Sequence, residues 1–219
     1  VSPASGDFVI FGGRGDASAP GCRNDVWALA SGAGGLQWRE VQTAGEAPPP
    51  KVWYGAVATS QGNWVISGGS QWQFEESGLS DQGVVWVLEL SSFSWSSMRP
   101  PQGSPLPDVL VACSIVEVDQ GILVLGGCMP HKLGVVPAGQ NAFRQCLKWY
   151  VPLTRPWRCD LQTGQWAQEA ASARPGDVPE PGDTMLRSHL AALTVPAGER
   201  SVGEASERIL VFGGSRYFS

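Results

Sequence analysis

The sequence is short of several things. It holds only two histidines, three tyrosines and three methionines in 219 residues. No run of about 18 apolar residues exists, so no membrane-spanning helix is expected and no membrane partner. Charged residues make up only 16%, the net charge is −5, and Lys and Arg nowhere form a basic stripe. Neutralising a phosphate backbone needs such a stripe, so nucleic acid is not expected as a partner. No glycine-rich phosphate loop opens a helix, and neither His131 nor His189 sits in a recognisable metal or triad motif. The first residues, Val-Ser-Pro-Ala-Ser-Gly, have no initiator Met, basic start or apolar core. No signal peptide is expected there, and the chain reads as a piece of a longer polypeptide. The five cysteines, Cys22, Cys113, Cys128, Cys146 and Cys159, are odd in number and irregular in spacing. That is not a disulfide framework, and it points to a reducing compartment, cytoplasm or nucleus.

What is abundant is glycine (28), proline (17) and tryptophan (10). Glycine and proline at that level in a chain with 42% hydrophobic residues favour many turns and short strands around a core. Four apolar runs each end in a glycine pair: residues 8–11 before Gly12 and Gly13, 64–67 before Gly68 and Gly69, 122–125 before Gly126 and Gly127, and 209–212 before Gly213 and Gly214. The first glycines of successive pairs are 56, 58 and 87 residues apart. Short β-branched and aromatic runs closed by glycine read as strands. Each is apolar almost throughout, so burial on both faces is expected. The glycines would let the backbone turn where neighbouring units crowd.

After each of the first three glycine pairs comes a second strand with one Trp and a third with another. The pairs are Trp27 with Trp38, Trp86 with Trp95, and Trp157 with Trp166, separated by 11, 9 and 9 residues. Short turns lie between them, so each is a hairpin. Before each later glycine pair lies a further extended segment, 52–58, 109–116 and 186–193, usually led in by prolines such as Pro48, Pro49 and Pro50. One unit is therefore four strands: a small-residue inner strand, the glycine-pair strand and the two Trp strands. Antiparallel four-stranded units of about 50 residues with a glycine/aromatic signature are propeller blades. The indoles would fill the space between adjacent sheets. Burying about 200 Å² of each contributes at most ~5 kcal/mol at ~25 cal/mol/Å².

The glycine pair after an apolar strand, the run Asn24-Asp25-Val26-Trp27 and the trailing Trp38 together resemble a kelch repeat. The second unit matches in spacing, with Val84-Val85-Trp86 where an Asn-Asp-aromatic run is usual. The third, with Trp157-Arg158-Cys159-Asp160, departs most. The stretch from Trp38 to Pro50 is also similar to the blade junctions of kelch domains found beside F-box domains. The resemblance spans nearly the whole chain and implies an all-β, kelch-type β-propeller. Residues 1–50 then supply a partial blade, 51–100 a blade, 101–170 a blade with a long insertion at 128–156, and 180–219 another partial blade. That gives 13 strands, just over three blades, where propellers close with four to eight. An open arc with its missing blades outside the chain is expected.

In this topology the loops leaving the glycine-pair strands and the blade-to-blade connections share one face, where kelch domains similar to this one bind protein or peptide partners. Exposed Arg and aromatic residues serve as anchors in such surfaces. Arg14, Trp53, Trp72, His131, Lys132 and Arg187 are the candidates, with Trp53, Leu110 and Arg187 at equivalent places in the repeat. The insertion 128–156 is the least repeat-like segment, and insertions often carry function. Its Cys128-x-x-His131 is a single close pair, with Cys146 and Cys159 the only other ligands nearby, so no metal and no cofactor are expected. Arg14-Gly15-Asp16 spells an integrin-type tripeptide and is read as chance. Asp81-x-Gly83-x-x-Trp86 is similar to a sialidase aspartate box but has Leu79 where Ser or Thr belongs. Galactose oxidases of related fold use His and Tyr on copper, and this chain offers only His131, His189, Tyr54, Tyr150 and Tyr217. The expected function is a protein-interaction module and not an enzyme. A ubiquitin-ligase substrate receptor is one system the resemblance implies. A galactose oxidase-like or sialidase-like propeller enzyme, with its catalytic residues outside these 219, is the alternative.

Overall fold

The computed structural model describes residues 6–15, 21–32, 34–70, 83–107, 111–129, 149–150, 155–169, 188–195 and 208–215. These residues hold sixteen strands and no helix, so the fold is all-β. The strands are β1 (Phe8–Arg14), β2 (Cys22–Gly32), β3 (Gly35–Val41), β4 (Ala44–Gly45), β5 (Val52–Ala58), β6 (Asn63–Ser70), β7 (Val85–Glu89), β8 (Ser94–Met98), β9 (Ser114–Val118), β10 (Gly121–Leu125), β11 (Cys128–Met129), β12 (Trp149–Tyr150), β13 (Trp157–Asp160), β14 (Trp166–Gln168), β15 (Ser188–Val195) and β16 (Arg208–Ser215).

They form small antiparallel sheets of sequential neighbours. Sheet one is β1-β2-β3, sheet two β5-β6-β7-β8, sheet three β9-β10-β13-β14 and sheet four β15-β16. The glycine-pair strands are β1, β6, β10 and β16, and each pairs with the strands before or after it in sequence. Three short strands lie beyond the four-strand unit. Ala44-Gly45 pairs in parallel with Ser94-Trp95, making β4 a fifth strand on the outer edge of sheet two. Within the insertion, β11 and β12 pair as a separate two-stranded ladder, Cys128 opposite Tyr150 and Met129 opposite Trp149.

The sheets pack face to face in chain order, and the strand alternation assigns each side chain to one of two faces. In sheet two, Trp64, Leu88 and Trp95 are cross-strand neighbours, as are Ile66 and Trp86. This indole-bearing face packs on Val9, Phe11, Val26, Ala28 and Val41 of sheet one. The Phe11 ring meets Trp95 edge to face at 5.4 Å, a geometry that adds about 0.5–1.5 kcal/mol to area burial. A face-to-face packing of sheets also joins sheet three to sheet two. Ile122, Val124, Cys159 and Trp166 of sheet three pack on Val65 and Val85 from the opposite face of sheet two. A third cluster joins Val116, Leu123 and Leu125 to Ala192 and Ile209 of sheet four.

Burial on both faces holds for the inner glycine-pair strands and fails for the outer two. Val65 and Ile66 are fully buried, and so is β10 throughout. In β1, Phe8 and Ile10 are 48% and 38% exposed, and in β16 Leu210 and Phe212 are 57% and 83% exposed. The physical reason is that sheets one and four each have a neighbour on one side only among the described residues. Trp38 shares this exposure, whereas its counterparts Trp95 and Trp166 are buried.

Candidate functional site

Both members of the first three glycine pairs have positive φ, from +57 to +99. At Gly69 and Gly127 the constraint is close approach as well as conformation. A Cβ on Gly69 would stand 2.7 Å from the Val52 carbonyl, and one on Gly127 would stand 2.9 Å from that of Val111. The glycine-pair strand is thus pressed against the start of the inner strand of its own sheet. The junction then links sheets: Gly13 N–H donates to the Lys51 carbonyl and Lys51 N–H to the Arg23 carbonyl, both at 3.2 Å.

Two non-glycine residues at this end adopt left-handed backbone, Trp53 (φ +58) and Ala112 (φ +54). Each costs about 1–2 kcal/mol for an L-residue. The Ala112 N–H donates to the Trp53 carbonyl at 2.7 Å, so the two are held against each other across the sheets. Tyr54 beside them donates from its hydroxyl to the Phe11 carbonyl at 2.6 Å and packs edge to face on that ring. Burial pushes its phenol up to about 12, with the Phe11 hydrogen bond acting weakly the other way. Tyr54 is a tie between sheets one and two.

Of the sequence candidates, Arg14 lies exposed at the end of β1 and Trp53 lies half-buried at the start of β5. They share one end of the assembly, joined through the Gly13–Lys51 bond. Trp72, His131, Lys132 and Arg187 lie outside the described residues. The equivalence of Trp53 with Leu110 and Arg187 is corrected by the ladders. Tyr54 opposes Gly68, Leu190 opposes Gly213, and Ser114 opposes Leu125. Trp53 therefore corresponds to Ala112 and His189, two residues further along, because register follows the glycine pair and not the onset of the apolar run. The Cys159 thiol, counted as a possible ligand, packs in the core between sheets two and three. Burial, then the Asp160 charge, raises it to about 12. Cys113 is raised to about 11, chiefly by burial. Among the described residues no three His, Cys, Asp or Glu side chains converge on a metal position.

The sequence did not mark Lys51, which is 2% exposed. Its ammonium donates to the Gly68 carbonyl at 3.3 Å, beside the glycine pair of sheet two. At the opposite end of the sheets lies an unanticipated polar groove of about 880 Å³. The turns after β5, β9 and β13 line it, with Thr194 from β15. Glu117 organises it: the carboxylate accepts from the Ser60 N–H at 2.8 and 3.0 Å and from the Ser60 hydroxyl at 2.8 Å. Its carbonyl accepts from the Thr194 hydroxyl at 2.7 Å, so one residue bridges sheets two, three and four. Nearby, Asp160 accepts from the N–H groups of Gln162 and Thr163 at 2.8 Å, which holds its carboxyl below the ordinary range.

No family model matches the chain. It is 27% identical over 179 residues to the mouse protein named multiple epidermal growth factor-like domains protein 8, and 26% identical over 179 residues to the human protein of that name. Each match covers 80% of this chain, which spans only 5% of the length of these relatives.

Proposed function

We propose that the chain is an arc of a kelch-type β-propeller acting as a protein-interaction module of a larger multidomain protein. The observation that carries this reading is a constant frame with inconstant connections. The Gly69/Val52 and Gly127/Val111 junctions fix the same end of successive sheets. From that end leave connections of very different length: residues 15–21 between β1 and β2, 71–84 between β6 and β7, and 126–156 between β10 and β13. Rigid frames that present variable loops are built for recognition. Arg14 and Trp53 stand at their base as candidate anchors.

The relatives' name supports the multidomain part. Domains of the epidermal growth factor type are small and disulfide-dense. Five cysteines in 219 residues cannot build several of them, so this chain corresponds to another part of such proteins. That company also favours an oxidising compartment over the cytoplasm or nucleus. The buried thiols of Cys113 and Cys159, both held protonated, suit either, since an inert buried Cys resists oxidation.

The test is cross-linking capture with the chain as bait, followed by direct binding measurements on the recovered protein. Replacing residues 71–82 with a short Gly-Ser linker, or making Trp53→Ala, should weaken binding about tenfold or more while the melting temperature of the linker variant stays unchanged. Binding indifferent to every such loop change would sink the reading. So would failure to recover a partner together with copper-dependent release of hydrogen peroxide.

A further inference from the structure

The polar groove at the end of the sheets away from the glycine pairs is held together by one set of groups and lined by another. Glu117 and Ser60 tie β9 to the turn after β5, and the Glu117 carbonyl ties β9 to Thr194 of β15. The Leu161 N–H donates to the Gln120 carbonyl at 3.1 Å, which ties the turn after β13 to the turn after β9. Within the turns, the Thr59 N–H closes on the Asn63 carbonyl and the Asp160 carboxylate takes two amides of its own loop. These bonds fix the walls and use up the groups that make them. Left over are the carboxamides of Gln61, Asn63, Gln120 and Gln162 and the carboxylate of Asp119, all of which line the groove. None of these five side chains has a hydrogen-bond or ion-pair partner among the described residues.

The chemistry of the unspent groups selects a ligand. A carboxamide offers both a donor and an acceptor, as a peptide group does, so four of them suit a length of extended backbone. Among the described residues no aromatic side chain lines the groove, which leaves nothing for a sugar or other ring to stack on. No Lys, Arg or His lines it either. Arg158 directs its guanidinium to the Asp119 carbonyl and the Glu169 carboxylate, and leaves the Asp119 carboxylate open. An open carboxylate is matched by a guanidinium or ammonium group. The volume of about 880 Å³ is that of a ligand site. We propose that this groove binds an extended arginine- or lysine-bearing peptide segment of a partner protein, with Asp119 taking the cation and the four carboxamides taking the peptide groups. It lies at the other end of the sheets from the loops of the interaction-module reading and does not rest on them.

The experiment is an NMR titration of the full 219-residue chain, labelled with nitrogen-15, with the capped peptide Gly-Arg-Gly-Arg-Gly as probe. Side-chain carboxamide resonances of Gln61, Asn63, Gln120 and Gln162 should shift together and saturate with one affinity. The capped peptide Gly-Glu-Gly-Glu-Gly should leave them in place. Asp119→Asn should weaken the arginine peptide about tenfold, the worth of one charge-assisted hydrogen bond. Glu40→Gln makes the same change of charge on the exposed face of β3, outside the groove, and should alter affinity less than about twofold. Both side chains are exposed, so circular dichroism should show each variant folded. Replacing residues 71–82 with the Gly-Ser linker should leave this binding unchanged, which separates it from recognition at the glycine-pair end. Three results would overturn the proposal: carboxamide resonances that stay fixed at millimolar arginine peptide, equal weakening by Asp119→Asn and Glu40→Gln, or equal binding of the glutamate peptide. The second would reduce the effect to attraction by the net negative charge of the chain.

Discussion

The indole N–H of Trp166 donates to the Gly83 carbonyl at 2.8 Å, reaching from sheet three to the lead-in of β7. Trp95 occupies the same place in sheet two, yet its indole N–H is buried with no acceptor among the described residues. Two tryptophans alike in the repeat therefore differ in chemistry. Trp166→Phe should destabilise the fold by about 1–3 kcal/mol, because it also strands the Gly83 carbonyl. Trp95→Phe removes an unsatisfied donor and should cost less than about 1.5 kcal/mol. Urea midpoints at unchanged m-value would measure the difference.

Glycine positions in the pairs should likewise separate. Gly127→Ala places a Cβ 2.9 Å from the Val111 carbonyl at φ +89. It should cost clearly more than the conformational term of about 1–2 kcal/mol. Gly13→Ala, at φ +99 with nothing within 4 Å, should show that term alone. Thermal unfolding of the two variants side by side decides it.

Stability should fall steeply on the alkaline side. Tyr54 is raised from 10.0 to about 12, Cys113 from 9.0 to about 11 and Cys159 from 9.0 to about 12. Between pH 9 and 12 the unfolded chain loses these protons while the folded chain keeps them. Stability is then fully present below pH 9 and is lost as pH rises through the folded values. Tyr54→Phe should flatten the part of the decline above pH 10, and Cys113→Ala the part that begins near 9. Denaturant titrations at stepped pH give the slopes.

Glu117 should matter locally more than globally. Glu117→Ala should cost on the order of 1 kcal/mol, since its bonds to Ser60 are exposed. Hydrogen exchange at the Ser60 amide should accelerate, while amides in the middle of β10 keep their protection.

The strands were legible because glycine pairs and paired tryptophans punctuate them, and Gly68, Gly126 and Gly213 fall where the ladders end or kink. The register of the inner strands was not. An apolar run such as 109–116 says where extended chain begins, and pairing with the glycine strand decides which residue faces which. That is why Trp53 aligns with Ala112 and not Leu110. The β4 pairing was invisible since two residues, Ala44 and Gly45, leave no alternation to read. Lys51 escaped because a lysine after three prolines reads as solvated, and tertiary contacts, the bond to the Gly68 carbonyl among them, bury it. The polar groove escaped for a similar reason: Ser60, Glu117 and Thr194 come from three sheets, and each alone is an ordinary polar residue near a strand end.

The small parallel pairing of Ala44-Gly45 with Ser94-Trp95 reaches beyond local geometry. A sheet's outer strand offers a row of unpaired amides and carbonyls to any extended peptide, including a misfolded copy of the same chain. In sheet two the passing linker takes up part of that row on β8. In sheet one β3 pairs only with β2 among the described residues, and Gly35 through Glu40 are exposed along it. β3 is therefore an edge open to strand addition, and β8 is the edge the chain has already guarded by routing its own backbone across it.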